Sequence, residues 1–292
     1  MDTHSRIQGT TRVTEKGKRV VRRASTSSLV ESLTRLGYVV RGLLYGTIGL
    51  LALQVAVGKG GRLADPQGAI AAIGQQAGGQ LVLYLVLIGL IGYSLWGLIR
   101  AVFDPLHKGN DLKGLAQRAG FLVSAISYGL LIPTTYALIR AGTAAPNRGQ
   151  TAQTQQATAS ILAQPWGPAV VGIVAVILIG VGLLNFFQGF RQDFDRQFQP
   201  YALNVQQRTW VRRIGRFGTS ARGVVFTLIG VFLFQAAYQH NANQAQGIDG
   251  ALYALLRQPA GQWLLGIVAA GLISFGVYSV LSGIWLRLRR TA

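Results

Sequence analysis

No cysteine occurs anywhere in the 292 residues, and there are only nine acidic residues and three histidines. The first absence removes disulfides, thiolate metal sites and cysteine nucleophiles. The second empties the interior of acid–base chemistry. Asp2, Glu15, Glu31, Asp65, Asp104, Asp111, Asp193, Asp195 and Asp249 all fall in the tail, in gaps or at the ends of apolar runs. Proton-coupled pumps use Asp, Glu or His inside their membrane spans, whereas His4, His107 and His240 lie in the tail and the gaps. No pair of His or carboxylates has metal-ligand spacing, and no Gly-rich phosphate loop, serine elbow or zinc motif appears. The sequence offers no catalytic constellation and requires no cofactor.

Charge of either sign is scarce. Only 13% of residues are charged while 50% are hydrophobic and 38 are glycine. A soluble domain carries about 25% charged residues and about 7% glycine, and glycine is more frequent in membrane helices. The net charge of +19 invites a nucleic-acid reading, but that needs basic residues gathered on a folded polar surface. Here they sit in the tail and in short gaps between apolar runs, which is the positive-inside pattern of a membrane protein. The expected partner is the lipid bilayer, anionic lipids included, and not nucleic acid.

Residues 1–27 form a basic tail, with Arg6, Arg12, Lys16, Lys18, Arg19, Arg22 and Arg23 among Ser, Thr and Gly. Nothing in it can build a core. Ser28-Leu29-Val30-Glu31 matches the Ser-x-x-Glu capping box, which predicts a helix start near Ser28. Six apolar spans follow at 36–57, 80–103, 116–140, 167–190, 214–238 and 261–286, each reaching the ~20 residues that cross a ~30 Å hydrocarbon core. Pro133 predicts a kink in the third. The five tryptophans stand mostly near span ends, where interfacial anchors belong.

Lys and Arg number 21 on the side of the two termini and five on the other, with Arg41 and Arg222 inside spans. Both termini are therefore expected on the cytoplasmic side.

The spans repeat. A shift of 181 residues aligns Gly37, Arg41, Gly42, Tyr45 and Gly49 with Gly218, Arg222, Gly223, Phe226 and Gly230. A shift of 83 aligns Arg35, Gly37, Gly42, Tyr45 and Gly46 with Arg118, Gly120, Ala125, Tyr128 and Gly129, and puts Ser124 where Arg41 would stand. The unit is a two-helix hairpin with a polar loop outside, used three times: 28–110, 111–200 and 201–292. An even number of spans per unit gives parallel repeats about an axis along the membrane normal.

The pattern Gly-Tyr-x-x-Arg-Gly-x-x-Tyr-x-x-Ile-Gly from Gly37 to Gly49, followed by Gly68-Ala69, Gly79-Gln80 and Gly89 to Trp96, resembles the bacterial membrane family called domain of unknown function 1206. That family carries three tandem two-span units. The likeness runs over about 35–286 and is weakest in the second copy, where Ser124 and Leu184 replace the arginine and a tryptophan. It implies an integral membrane protein and no particular activity.

Two sets of residues stand out. Gly42-x-x-x-Gly46, Ala125-x-x-x-Gly129 and Gly223-x-x-x-Thr227 are small-xxx-small patterns that let membrane helices approach closely, and Gly37, Gly49, Gly218 and Gly230 extend the same faces. Gly37, Arg41, Tyr45 and Gly49, four apart, share one helix face. Arg41 sits about five residues into its span, roughly 7–8 Å deep at 1.5 Å per residue. Such an arginine can snorkel to the cytoplasmic phosphates. Alternatively Arg41 and Arg222 turn inward as an anion or lipid-headgroup site, with Asp104 the nearest counter-ion. Asn185, Gln188, Ser274, Ser279 and Ser282 supply interhelical hydrogen bonds or a polar lining.

The expectation is an all-α six-span membrane protein, non-enzymatic, that binds lipid or a protein partner. The second reading is a pore or carrier for a small anionic solute with both arginines at its cytoplasmic mouth.

Overall fold

The computed structural model describes residues 28–103, 112–141, 149–191 and 204–285. Asp104, Asp193, Asp195 and the basic tail lie outside the described residues. Within them the chain is helical without strands. The long helices are α1 (Ser28–Ala56), α3 (Gly79–Phe103), α4 (Leu112–Gly129) with α5 (Leu131–Ala141), α7 (Gly167–Arg191), α8 (Val205–Tyr238) and α10 (Gly261–Trp285). Six stretches among them are long and apolar enough to cross a membrane; five match the expected bounds to within two residues, and the one in α8 starts at Val205, nine residues before the expected 214.

The third span is two helices. Pro133 lacks the N–H that would bond the Gly129 carbonyl, and its ring crowds that carbonyl. The helix accordingly breaks at Leu130, one turn before the proline. At the other extreme, α8 begins nine residues ahead of its apolar run, because Asn204 and Gln207 form a reciprocal capping box there.

The loops expected to be merely polar each contain a short helix: α2 (Pro66–Gly74), α6 (Gly149–Leu162) and α9 (Ile248–Leu256). The N-terminus of α6 ties the other two together. Asp65 caps α2 by accepting from Gly68 N–H at 2.6 Å, and its second oxygen accepts from Gln150 N–H of α6. Thr151 receives Gly247 N–H at 2.9 Å and donates to Asp249 at 2.6 Å. Gln67 and Gln153 pair at 2.6 Å. Burial pushes the Asp65 carboxyl above its usual range, against the pull of the two backbone N–H groups, and nearby Asp249 adds to the rise.

Helices follow one another around the bundle: α1 beside α3, α3 beside α4–α5, α7 beside α8, α8 beside α10, and α10 back beside α1. Three of these contacts join successive hairpins at aligned small residues. A Cβ on Gly276 would lie 2.7 Å from both the Gly42 carbonyl and the Gly46 nitrogen. A Cβ on Gly182 would lie 2.9 Å from the Gly223 carbonyl. Ser94 stands in the same place against Gly129. Backbone-on-backbone approach of this kind is how membrane helices gain dispersion contact without a hydrophobic driving force.

At the bundle end where α1 begins and α10 finishes, arginines bind exposed helix carbonyls. Arg35 Nη1 donates to Ile284 at 2.6 Å, while Arg118 Nε and Nη2 donate to Ala101 at 2.8 Å and Val102 at 3.0 Å. A cation at a helix C-terminus contributes about 0.3–1 kcal/mol.

Two hairpins are also sealed along their own length. Gly37 packs under Tyr93 and Gly218 under Phe275, each so closely that a Cβ would meet the partner's at under 3 Å (2.7 Å and 2.8 Å). The middle hairpin is not sealed: α7 does not pack along α4 or α5, and the aligned Gly120 meets nothing within 4 Å.

Candidate functional site

Within their apolar spans the long helices are apolar on nearly every face, so burial of a particular face is decided by packing geometry. Close approach at Gly42 and Gly276 fixes the rotation of α1 and α10. It turns Arg41 into the bundle, where Arg41 Nε donates to Ser279 Oγ of α10 at 3.2 Å. The guanidinium carbon lies 4.8 Å from the Tyr38 ring centre and 5.1 Å from that of Phe275. The Tyr93 hydroxyl is turned toward the same guanidinium.

Gly218 beneath Phe275 does the same for α8. Arg222 places its guanidinium carbon 5.0 Å from the Phe275 ring, 4.8 Å from Phe226 and 6.0 Å from Tyr45. The two arginines, 181 residues apart in sequence, thus share Phe275. Neither runs along its own stem to the lipid phosphates. Each such cation–ring contact contributes about 0.5–1 kcal/mol in water, and about 2 kcal/mol or more once desolvated.

The rings form two sets that Arg41 bridges, packing on Tyr38 of one and Phe275 of the other. Tyr45 meets Phe275 edge-on at 4.9 Å, and Tyr93 meets Tyr128 at 4.7 Å and Tyr38 at 6.1 Å. Tyr128, from the middle hairpin, lies within electrostatic reach of both arginines. A third cation, Arg100, stands in the last turn of α3, stacked 4.4 Å from Phe121 and 5.6 Å from Trp96. The sequence reading assigned no role to Arg100, Phe121, Phe275 or the tyrosines on α3 and α4. Only their alignment with one another carried the signal.

The two arginines differ in their partners. Ser279, which receives Arg41, aligns with Asn185 beside Arg222, but Asn185 donates its amide to the Val181 carbonyl of its own helix at 2.8 Å. Arg222 Nε is buried without a hydrogen-bond partner. Ser274 and Ser282 likewise bond carbonyls one turn back in α10. Among residues whose side chains are described, the acids are Asp65 and Asp249, both at the opposite end. The geometry is therefore two guanidiniums packed on aromatic rings, with the buried Nε of Arg222 unbonded among the described residues. Such a site fits a monoanion or a phosphodiester, since guanidinium forks match oxyanion geometry.

Elsewhere, a shallow groove at the outer end is lined by Arg62, Thr151, Asp249 and Tyr253, but Thr151 and Asp249 are already bonded to each other. Of the tryptophans, Trp166, Trp210 and Trp263 are exposed as anchors would be, whereas Trp96 is buried under Arg100. Within the small-residue set, Gly42, Gly49, Gly223 and Gly230 stand where a Cβ would strike a neighbouring backbone, while the Cβ direction of Gly46 is open.

The uncharacterized protein YxxB of Bacillus subtilis (strain 168) is 33% identical to this chain over 260 residues, covering 89% of this chain and 92% of that protein. No solved structure matches it. The family described as Domain of Unknown Function (DUF1206) matches three times in tandem, at residues 36–104, 119–192 and 217–286. The chain belongs to the DUF1206 family.

Proposed function

We propose that this protein is a non-enzymatic component of the bacterial plasma membrane that binds an anionic group, a lipid headgroup foremost, between Arg41 and Arg222. Its three hairpins are parallel repeats about an axis along the membrane normal, with both termini cytoplasmic. The equivalent contacts at Gly276, Ser94 and Gly182 support that arrangement, and the excess of Lys and Arg on the side of the termini supports the orientation. The observation that carries the binding reading is the shared ring: two interior guanidiniums meet on Phe275, and Arg222 Nε is buried with no acceptor. An unspent charged donor in a low-dielectric interior is costly, and an incoming oxyanion relieves that cost.

The test is lipid retention in nanodiscs of mixed phosphatidylglycerol and phosphatidylcholine. The wild-type protein is expected to enrich phosphatidylglycerol around itself, and Arg41→Gln with Arg222→Gln is expected to remove the enrichment while the variant stays folded, as far-UV circular dichroism and a monodisperse elution profile in detergent report. Equal enrichment in the double variant overturns the reading. Anion flux through proteoliposomes that Arg41→Ala and Arg222→Ala abolish would replace it with the carrier.

A further inference from the structure

The middle hairpin is where the threefold pattern fails, and it fails along one whole face. In the first hairpin the aligned stripe Gly89, Tyr93 and Trp96 is buried, and in the third Gly271, Phe275 and Tyr278 are buried. The matching stripe of α7, Ile177, Val181 and Leu184, is exposed, at 57%, 37% and 60%. The facing helix shows the same contrast. Gly37 and Val40 are buried, as are Gly218 and Ala221, but Gly120 and Val123 are exposed. Two apolar walls therefore stand apart where their counterparts interlock.

The seam they leave has a definite bottom and a definite end. Tyr128, on the α4 wall, touches Tyr93 and lies in the field of Arg41 and Arg222. One turn toward the inner surface stands Ser124, in the position that carries arginine in the other two copies, so this position places a small neutral side chain beside the seam. Gln188, also exposed, continues the α7 stripe to its polar inner end. The outer end is bridged by the bonds of α6 to Asp65 and to α9. A slot that is apolar through bilayer depth, closed outside, and open sideways beside two cations with no acidic partner among the described residues complements an anionic amphiphile with its head inward.

Resting on the reading of the arginines as an anion site, we propose that the seam between α4–α5 and α7 is a lateral berth for one acyl chain of an anionic phospholipid, whose phosphate enters from the bilayer past Ser124 to Arg222. The lipid takes the place of the aromatic seal that Tyr93 and Phe275 provide elsewhere. It supplies both a helix contact and a counter-charge.

The experiment uses the full chain in phosphatidylcholine vesicles doped with phosphatidylglycerol carrying an acyl-chain diazirine. A second arm titrates detergent-solubilised protein with inorganic phosphate. On illumination, label is expected on Ile177, Val181, Leu184 and the 120–127 stretch severalfold above the other lipid-facing helices. Val181→Phe restores the seal seen at Phe275, and Gly120→Phe fills the seam from the opposite wall, where nothing lies within 4 Å. Each is expected to abolish the excess label while leaving phosphate binding intact. Arg222→Gln is expected to reduce both.

Phosphate binding that depends on the arginines, with seam label no higher than elsewhere, overturns the berth and leaves the anion site standing. Seam label equal with a phosphatidylcholine probe and indifferent to Arg222→Gln also overturns it, as lipid filling without headgroup capture. Loss of both signals in the wild-type protein removes the anion site itself.

Discussion

At the scale of single residues, the site depends on glycines that face backbone rather than on the arginines alone. Gly42→Ala would put a methyl 2.6 Å from the Gly276 carbonyl, pushing α1 and α10 apart at the point that sets the rotation of Arg41. A loss of about 1–3 kcal/mol is expected, as for overpacking in a tight core. Gly46→Ala, four residues on, adds a methyl to open space and is expected to be neutral. Reversible SDS denaturation in mixed micelles measures both, and equal losses would show that the small-xxx-small pattern acts as a whole and not through one contact. Ser279→Ala removes the acceptor of Arg41 Nε, leaving both arginines with unspent donors. It is expected to strengthen phosphatidylglycerol enrichment over wild type in the nanodisc assay.

At the scale of elements, the outer helices are held by few groups and Asp65 is the most heavily used. Asp65→Ala removes the cap from α2 and the acceptor for α6 together, and each N-cap is worth about 0.5–2 kcal/mol. Its titration has a definite sign. The folded pKa is raised, so the folded chain holds this proton more readily than the unfolded chain. The associated stability is fully present below the ordinary carboxylate pKa of about 4 and is lost as pH rises through the folded value. Melting temperature should therefore rise on acidifying from neutrality toward that range. Asp65→Asn keeps an acceptor and removes the charge, and should flatten that part of the profile. An unchanged profile would assign the dependence to other groups.

These elements also show how far the sequence could be read. Span positions were legible because a 20-residue apolar run has one physical reading. The inward rotation of Arg41 was not, because a helix apolar on every side gives no periodic cue to its buried face. Helix α6 was hidden for a different reason: its Gln-, Thr- and Ala-rich sequence resembles a polar loop, and its order comes from Asp65, Asn243 and Asp249 on other segments. The extension of α8 did leave a signal, the Asn204 and Gln207 pair. The open seam left only a substitution pattern, aliphatic Val181 and Leu184 in place of aromatic rings, whose meaning needed the packing of the other two hairpins.

At the scale of the whole molecule, a chain without cysteine allows the ring of helices to be checked by introduced pairs. Ala56→Cys with Gly266→Cys would set two Cβ atoms 3.8 Å apart, and Ser94→Cys with Gly129→Cys 4.0 Å apart. Both fall in the roughly 3.5–4.5 Å range a disulfide requires. Both pairs should cross-link in membranes under mild oxidation with copper phenanthroline, while Gly120→Cys with Val181→Cys should stay reduced. Efficient oxidation of the last pair would mean that the middle hairpin closes in the bilayer, and the seam with it.

The last span packs along the first, α10 against α1, the helices at opposite ends of the described chain. A ribosome makes α1 long before α10 exists. During that interval Arg41 has neither Ser279 nor Phe275, and the Gly42 face has no backbone to lie against. The first span must therefore wait in the bilayer with an arginine that only the last span can shelter. Chains cut short before residue 261 would present that arginine to lipid, or to whatever insertion factor holds it, and would be the natural substrates of membrane quality control.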